Sequence, residues 1–217
     1  MNKKGEFMFR YFYLSVFIVF PFFLSSLAYS TQAIHANLEH ITQTAEASFV
    51  GTCIDRRVEL LPDARFSGGL LVTKYTFRIG QWIKGPQQKK EGELFEFVQY
   101  GATREEAAKM NVSFIIGLPQ FEKNKEYVLF TTRRSPATGL SSTVGLEQGV
   151  FDVVVQANGT KSVTNKFLST SLFQNLPVKQ GVQKTLTAAK SASSQDGSVI
   201  SLQSFVDLVN ALGENAR

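Results

Sequence analysis

The chain has 217 residues, of which 43% are hydrophobic and 19% are charged, and its formal net charge is +5. This composition excludes an intrinsically disordered protein and a protein with several membrane spans, and the length suits one domain with a sizeable core. Basic and acidic residues are interspersed without a basic block, so we expect no nucleic-acid partner. The single cysteine, Cys53, cannot form an internal disulfide, so the fold depends on its hydrophobic core.

Residues 1–30 have the three parts of a secretory signal peptide. A basic start, Met1–Arg10, precedes an apolar run, Tyr11–Leu27, and the small residues of a cleavage site stand at Ala28 and Ser30. We expect cleavage after Ser30 and a periplasmic or secreted product. The alternative is an uncleaved N-terminal anchor, which would be the chain's contact with a membrane, although the apolar run is shorter than the roughly 20 residues of a spanning helix.

Residues 31–46 form a short polar segment with some helical character, and it carries both histidines, His35 and His40. Two histidines five positions apart do not share one helix face, and neither a His-Glu-x-x-His nor a Cys-x-x-Cys motif occurs. The sequence also has no Gly-x-Ser-x-Gly nucleophile elbow and no phosphate-binding glycine loop. We therefore expect no metal ligand, no cofactor site and no catalytic residue, and we favour a binding protein over an enzyme.

Residues 47–179 predict a β domain. Strands are expected at Ser48–Leu61, Leu70–Ile83, Leu94–Tyr100, Glu126–Thr132 and Gly145–Gln156, with a hairpin return at Lys161–Asn165. The second strand is the clearest, because Tyr75, Phe77 and Ile79 alternate with polar residues and so face one side, the core. Cys53 lies on the first strand, where we expect a half-buried residue. A reactive or intermolecularly bonded thiol is the alternative.

Three local patterns refine this domain. Gly51 within the first strand predicts a bulge or a bend. Ala102–Met110, between the third and fourth strands, is rich in helix-forming residues and predicts one or two helical turns. Asn158-Gly159 predicts a type I′ hairpin turn, in which both central residues have positive φ.

The C-terminal part of the chain predicts a linker and a helix. Residues 180–198 are polar and are expected to form the linker. Residues 199–213 follow as a helix that packs on the sheet, with Ser201 as its N-cap and Gly213 as its end. Long bent strands, short polar turns and one packed helix together predict a mainly β protein, a small partly closed OB-like barrel of five to six strands. A β-sandwich is the alternative fold.

Five short motifs follow one another along the predicted strands and turns. They are Phe49-Val50-Gly51, Tyr75 to Gly85, Gly117 to Phe121, Tyr127 to Phe130 and Gly149 to Asp152. In this order the chain resembles, over residues 47–213, a group of exported bacterial proteins of unassigned function. Their OB-like barrel is similar to the netrin-like domain of tissue metalloproteinase inhibitors. The resemblance implies the fold. In those inhibitors an N-terminal cysteine places its amine and carbonyl on the protease zinc. This chain would begin near Thr31 without a cysteine there, so that mechanism transfers to none of its residues.

Ala102–Pro119 is the longest insertion between the predicted strands and the expected contact surface of a binding module. It carries four apolar residues that are candidates for exposure, Met110, Phe114, Ile115 and Ile116, and these could equally pack under the barrel. We expect a non-catalytic exported binding module whose protein partner is a protease or an envelope or host component. The alternatives are a secreted hydrolase with an unrecognised site and a structural envelope protein. The sequence predicts neither the partner's identity nor the oligomeric state.

Overall fold

The structure, a computed structural model, describes most of the chain beyond residue 35. The described residues are 36–63, 66–85, 90–112, 114–165, 172–173, 176, 187 and 199–214. All of them belong to one compact unit, Ile34–Arg217. The predicted signal peptide at 1–30, His35 and all of the predicted linker except residue 187 therefore lie outside the described residues.

The described strands form one antiparallel sheet of seven strands. In chain order they are β1 (Ala47–Asp63), β2 (Phe66–Lys84), β3 (Leu94–Tyr100), β4 (Glu126–Thr131), β5 (Val150–Val155), β6 (Lys161–Thr164) and β7 (Val199–Ser201). Their order in the sheet is β3-β2-β1-β4-β5-β6-β7. The main described helices are α1 (Leu38–Thr44), α2 (Arg104–Lys109) and α3 (Leu202–Glu214), and a short 3₁₀ helix spans Leu146–Gly149. The prediction of a mainly β protein with a C-terminal helix is confirmed.

The sheet is strongly irregular along its two longest strands, and it stays open. β1 and β2 have 17 and 19 residues and pair with four register shifts, one of them between Val50 and Gly51, where a bulge was predicted. Bulges of this kind bend the strands that carry them. In the described part of the chain the edge strands β3 and β7 do not pair, and the sheet has seven strands where five or six were expected. All seven belong to one sheet, so the described strands are not divided between two sheets as in the alternative β-sandwich.

β4 lies between two hydrophobic cores, because its residues are buried on both faces. Tyr127 and Leu129 belong to an aromatic core, together with Phe49, Cys53, Tyr75, Phe77, Ile79, Phe97 and Phe121. Val128 and Phe130 belong to a second core, the helix-side core, whose members include Phe151, Val163, Ile200, Phe205 and Leu212. The predicted burial of one face of β2 is confirmed by its three apolar residues in the aromatic core.

α3 is the predicted C-terminal helix, and it packs on the helix-side core. Ser201 is its N-cap as predicted, since the N–H of Ser204 donates to the Ser201 Oγ at 3.1 Å. The predicted end at Gly213 is wrong, because the helix continues to Glu214. Gly213 lacks the positive φ of a C-terminal cap and faces α1, where an added Cβ would lie 3.8 Å from Cγ2 of Thr42. Gly213 therefore lies where α3 packs on α1.

The β5–β6 hairpin is present at the predicted place, but its turn differs from the prediction. Only Gly159 has positive φ, at 81°, whereas a type I′ turn needs positive φ at Asn158 as well. The N–H of Gly159 donates to the carbonyl of Gln156 at 2.9 Å, so the loop is one residue longer and Gly159 follows the turn as a bulge. The predicted type I′ turn is therefore wrong.

Candidate contact surface

The four residues predicted to form a contact surface have different environments. Ile116 is 79% exposed and Met110 is 44% exposed. Phe114 is half-buried, packs against a small cluster around Leu71 and Ala107, and has the guanidinium of Arg104 5.3 Å from its ring centre. Ile115 is half-buried as well. The loop therefore places part of its apolar surface inward and holds Ile116 outward.

An ion pair fixes the start of this loop on the sheet. Arg56 of β1 donates two hydrogen bonds to the carboxylate of Glu106 in α2, at 2.8 and 2.5 Å. Glu106 also completes a capping box, because its carboxylate accepts from the backbone N–H of Thr103 at 3.0 Å. The hydrogen bonds from Arg56 hold the pKa of Glu106 down, to about 2. The carboxylate of Glu106 is thus held in two ways, by the capping box within α2 and by the ion pair with Arg56 on the sheet.

Polar side chains from the sheet fix the end of the loop. The buried Nε2 of Gln99 donates to the carbonyl of Pro119 at 2.8 Å. The hydroxyl of Tyr75 donates to Oε1 of Gln120 at 3.0 Å. Because the loop is anchored at both ends, Ile116 projects from a defined position on the surface.

Leu146, which sequence reasoning did not select, lies beside this projection. Its side chain approaches the loop at Gly117, where an added Cβ would lie 3.8 Å from Cδ1 of Leu146. Leu146 is 37% exposed and has φ of 57°, in the left-handed region, and the preceding Gly145 has φ of 63°. A bulky residue in this region is an outlier, since its Cβ crowds the following carbonyl.

Hydrogen bonds on both sides hold the turn around Leu146 in this conformation. The hydroxyl of Thr143 donates to the carbonyl of Leu146 at 2.8 Å, and Oε1 of the buried Gln148 accepts from the N–H of Ala36 at 2.8 Å. Nδ2 of Asn165 donates to the carbonyl of Glu147 at 3.1 Å. This turn and the 3₁₀ helix occupy the start of the predicted fifth strand, which begins only at Val150.

A small cavity adjoins the two loops. Its volume is about 200 Å³, and it is lined by Pro119, Gln120, Tyr127, Glu147, Val150, Asp152 and Asn165. Ile116, Leu146 and this cavity together are called the contact surface below. Two exposed apolar side chains beside a polar rim give it the composition of a small protein-binding site.

The groups considered for chemistry lie apart. Cys53 lies on β1, as predicted, but it is fully buried where a half-buried residue was expected, and burial raises the pKa of its thiol to about 11. His40 is exposed on α1, and its Nε2 lies 3.5 Å from Oγ1 of Thr44. Among the described residues, no group of three or more His, Cys, Asp and Glu side chains is arranged to hold a metal ion.

The comparisons with known proteins give no family. No protein-family model matches the sequence, and no curated protein matches it. The resemblance to netrin-like barrels therefore stays a prediction. Within the described residues, no helix combines the length and the apolar character needed to cross a bilayer.

Proposed function

We propose that this chain is a non-catalytic, exported binding module that engages a protein partner through the contact surface. The supporting observation is the conformation of Leu146. A left-handed conformation costs a residue with a Cβ about 1–2 kcal/mol. Strained residues of this kind persist only when their surroundings hold them, and they cluster at sites of function.

The surroundings of Leu146 meet this condition. Thr143, Ala36 and Asn165 form hydrogen bonds to the turn from three different parts of the chain, Ala36 through Oε1 of Gln148. Gly149 lets the backbone pass close to Val144, since an added Cβ would lie 2.4 Å from the Val144 carbonyl oxygen. The turn is therefore pre-organised before any partner binds, which lowers the entropic cost of association.

The partner's chemistry follows from the contact surface. Two large apolar side chains at its centre and polar side chains around the small cavity suit the surface of a folded protein. We take this partner to be an envelope or host protein, or an extracellular protease, in line with an exported chain. Export itself is tested by the mass of the protein recovered from the periplasm or the medium, which should lack residues 1–30.

Site-specific photo-crosslinking in the producing cells tests the contact surface. A photoreactive amino acid at Ile116 should give a discrete adduct with a second protein. The matched control is Val155, which is 68% exposed and also apolar but lies at the end of β5. Ile116→Ser and Leu146→Gly should each reduce capture of the partner about tenfold, whereas Val155→Ser should leave it unchanged. Equal crosslinking from both positions, or none from Ile116, would contradict the proposal.

A further inference from the structure

The outer edge of β3 has backbone groups that face away from the sheet. The N–H of Ser141 donates to the carbonyl of Val98 at 2.8 Å, so this carbonyl points away from β2. Val98 is paired with Lys74 of β2, and in an antiparallel ladder the outward-facing residues alternate along the strand. The N–H and C=O groups of Leu94 and Glu96 therefore face the same way as those of Val98.

The segment after β4 comes near this edge and touches it at one end. Residues 132–143 fold back on β4, with hydrogen bonds from Thr132 N to Ser142 O and from Val144 N to Phe130 O, both 2.8 Å. Leu140 packs against a cluster that contains Val98. In the described part of the chain, no backbone hydrogen bond outside the β2–β3 ladder reaches Leu94 or Glu96.

A cleft of about 990 Å³ opens where this contact ends. It is lined by Leu94–Glu96 of β3 and by Thr131–Arg134 at the end of β4 and beyond it, together with Glu46 and Lys84. We call this cleft the edge slot. It shares no lining residue with the contact surface.

The charges that line the edge slot leave a positive excess. Lys84 donates to three carbonyls at the end of α1, those of Thr42, Gln43 and Ala45, and Glu96 is paired with Lys74 at 2.8 Å. The other charged lining residues are Glu46, Arg133 and Arg134, so that with Lys84, whose carbonyl partners are neutral, three positive charges stand against one negative charge. Both arginines are exposed, and Nε of Arg134 donates to the neutral carbonyl of Gly139 at 2.6 Å.

We infer that the edge slot binds an extended acidic segment of a partner protein as an added strand beside β3. The segment's backbone would pair with the outward N–H and C=O groups of Leu94 and Glu96, which recur about every 6.8 Å along the strand. Its apolar side chains would meet the exposed Leu94, and its carboxylates would meet Arg133 and Arg134. Backbone pairing supplies affinity, and the arginines supply the preference for acidic residues.

Synthetic peptides test this inference on the full chain. The probe is a capped peptide of alternating valine and glutamate. One control peptide carries lysine in place of glutamate. A second control keeps the glutamates and is made in two registers, each N-methylated at every other backbone amide, so that the methyl groups fall on either the odd or the even positions. We expect the acidic peptide to bind and to slow amide hydrogen exchange at Leu94 and Glu96. The lysine peptide should bind at least roughly tenfold more weakly, and one of the two N-methyl registers should not bind.

Variants of the chain test the role of the arginines separately from the backbone pairing at β3. Arg133→Glu combined with Arg134→Glu should weaken the acidic peptide about tenfold and restore binding of the lysine peptide. Circular dichroism and the melting temperature of this variant check that it remains folded. No binding of the acidic peptide, equal binding of all peptides, or protection located away from β3 would overturn the inference. Protection of Leu94 and Glu96 that depends on protein concentration without peptide would also overturn it, because a second copy would then fill the slot.

Discussion

Arg56 and Glu106 lie 50 residues apart in the chain, and two nearly equivalent hydrogen bonds join their side chains. The guanidinium also lies 6.0 Å from the ring centre of Tyr75, whose hydroxyl bonds to Gln120. One arginine thus contacts both α2, at the start of the loop 102–119, and Tyr75 of β2, which bonds to Gln120 just after the loop.

Glu106→Gln should lower the free energy of unfolding at neutral pH by about 1–2 kcal/mol. The variant keeps the size of the side chain but removes the charge that Arg56 and the N-terminus of α2 stabilise. Urea denaturation measures the loss. Glu105→Gln is the matched control, because Glu105 is the exposed neighbour on the same helix, and it should change stability by less than about 0.5 kcal/mol.

The same carboxylate predicts a pH dependence. The pKa of Glu106 in the folded chain is about 2, below its ordinary value of 4.5, so the folded state binds this proton less tightly than the unfolded state. Its contribution to stability is therefore complete above about pH 4.5 and is lost as the pH falls toward 2. The stability difference between wild type and Glu106→Gln should shrink over this window. A constant difference between pH 6 and pH 2.5 would contradict the assignment.

Cys53 should react slowly with thiol reagents in the native state. Its side chain is fully buried, and burial raises the pKa of the thiol to about 11, so little thiolate forms near pH 8. The rate of labelling should rise by several orders of magnitude in denaturant. Rapid labelling of the native protein would mean that β1 opens readily at this position.

Leu146→Gly should leave stability within about 1 kcal/mol of wild type. Glycine relieves about 1–2 kcal/mol of left-handed strain, and this offsets the lost burial of a side chain that is already more than one-third exposed. Leu129→Ala, at a fully buried position, should cost about 2–5 kcal/mol in the same thermal or urea measurement. A large loss at Leu146 would show that its side chain serves the fold and not a partner.

Gly149→Ala should destabilise the protein by about 2 kcal/mol or more, because the new Cβ would overlap the carbonyl oxygen of Val144. Gly80→Ala is the control. Its Cβ would lie 3.7 Å from the nearest atom, the carbonyl oxygen of Val50, which is ordinary contact, so the cost should be small. Comparing melting temperatures of the two variants tests how tightly the turn around Leu146 is built.

The sequence predicts those parts of the fold that depend on local pattern. The alternation of Tyr75, Phe77 and Ile79 predicts the buried face of β2, and the bounds of β3 agree with the structure at both ends. Residues 199–201 were predicted to begin the C-terminal helix but form β7, because three residues carry no periodicity and their pairing depends on β6. The loop 102–119 was selected as a contact surface from its length, and that role stays a prediction; Ile116 is its most exposed apolar residue.

Leu146 could not be predicted by the same reasoning. Its left-handed φ is imposed by Thr143, by Gln148 through the N–H of Ala36, and by Asn165, and these residues are up to 129 positions apart (165 − 36). The nearest local signal is the pair of glycines at 145 and 149, on either side of it. Those glycines indicate a tight turn, but they do not show which side chain the turn presents.

The position of β4 has a consequence for how the protein unfolds. Its successive side chains enter opposite cores, Tyr127 and Leu129 on one side and Val128 and Phe130 on the other. Neither core can unfold without displacing β4, and displacing β4 also removes its residues from the other core. Heat or denaturant should therefore disrupt both in a single cooperative, two-state transition, in which aromatic fluorescence and helical ellipticity change together.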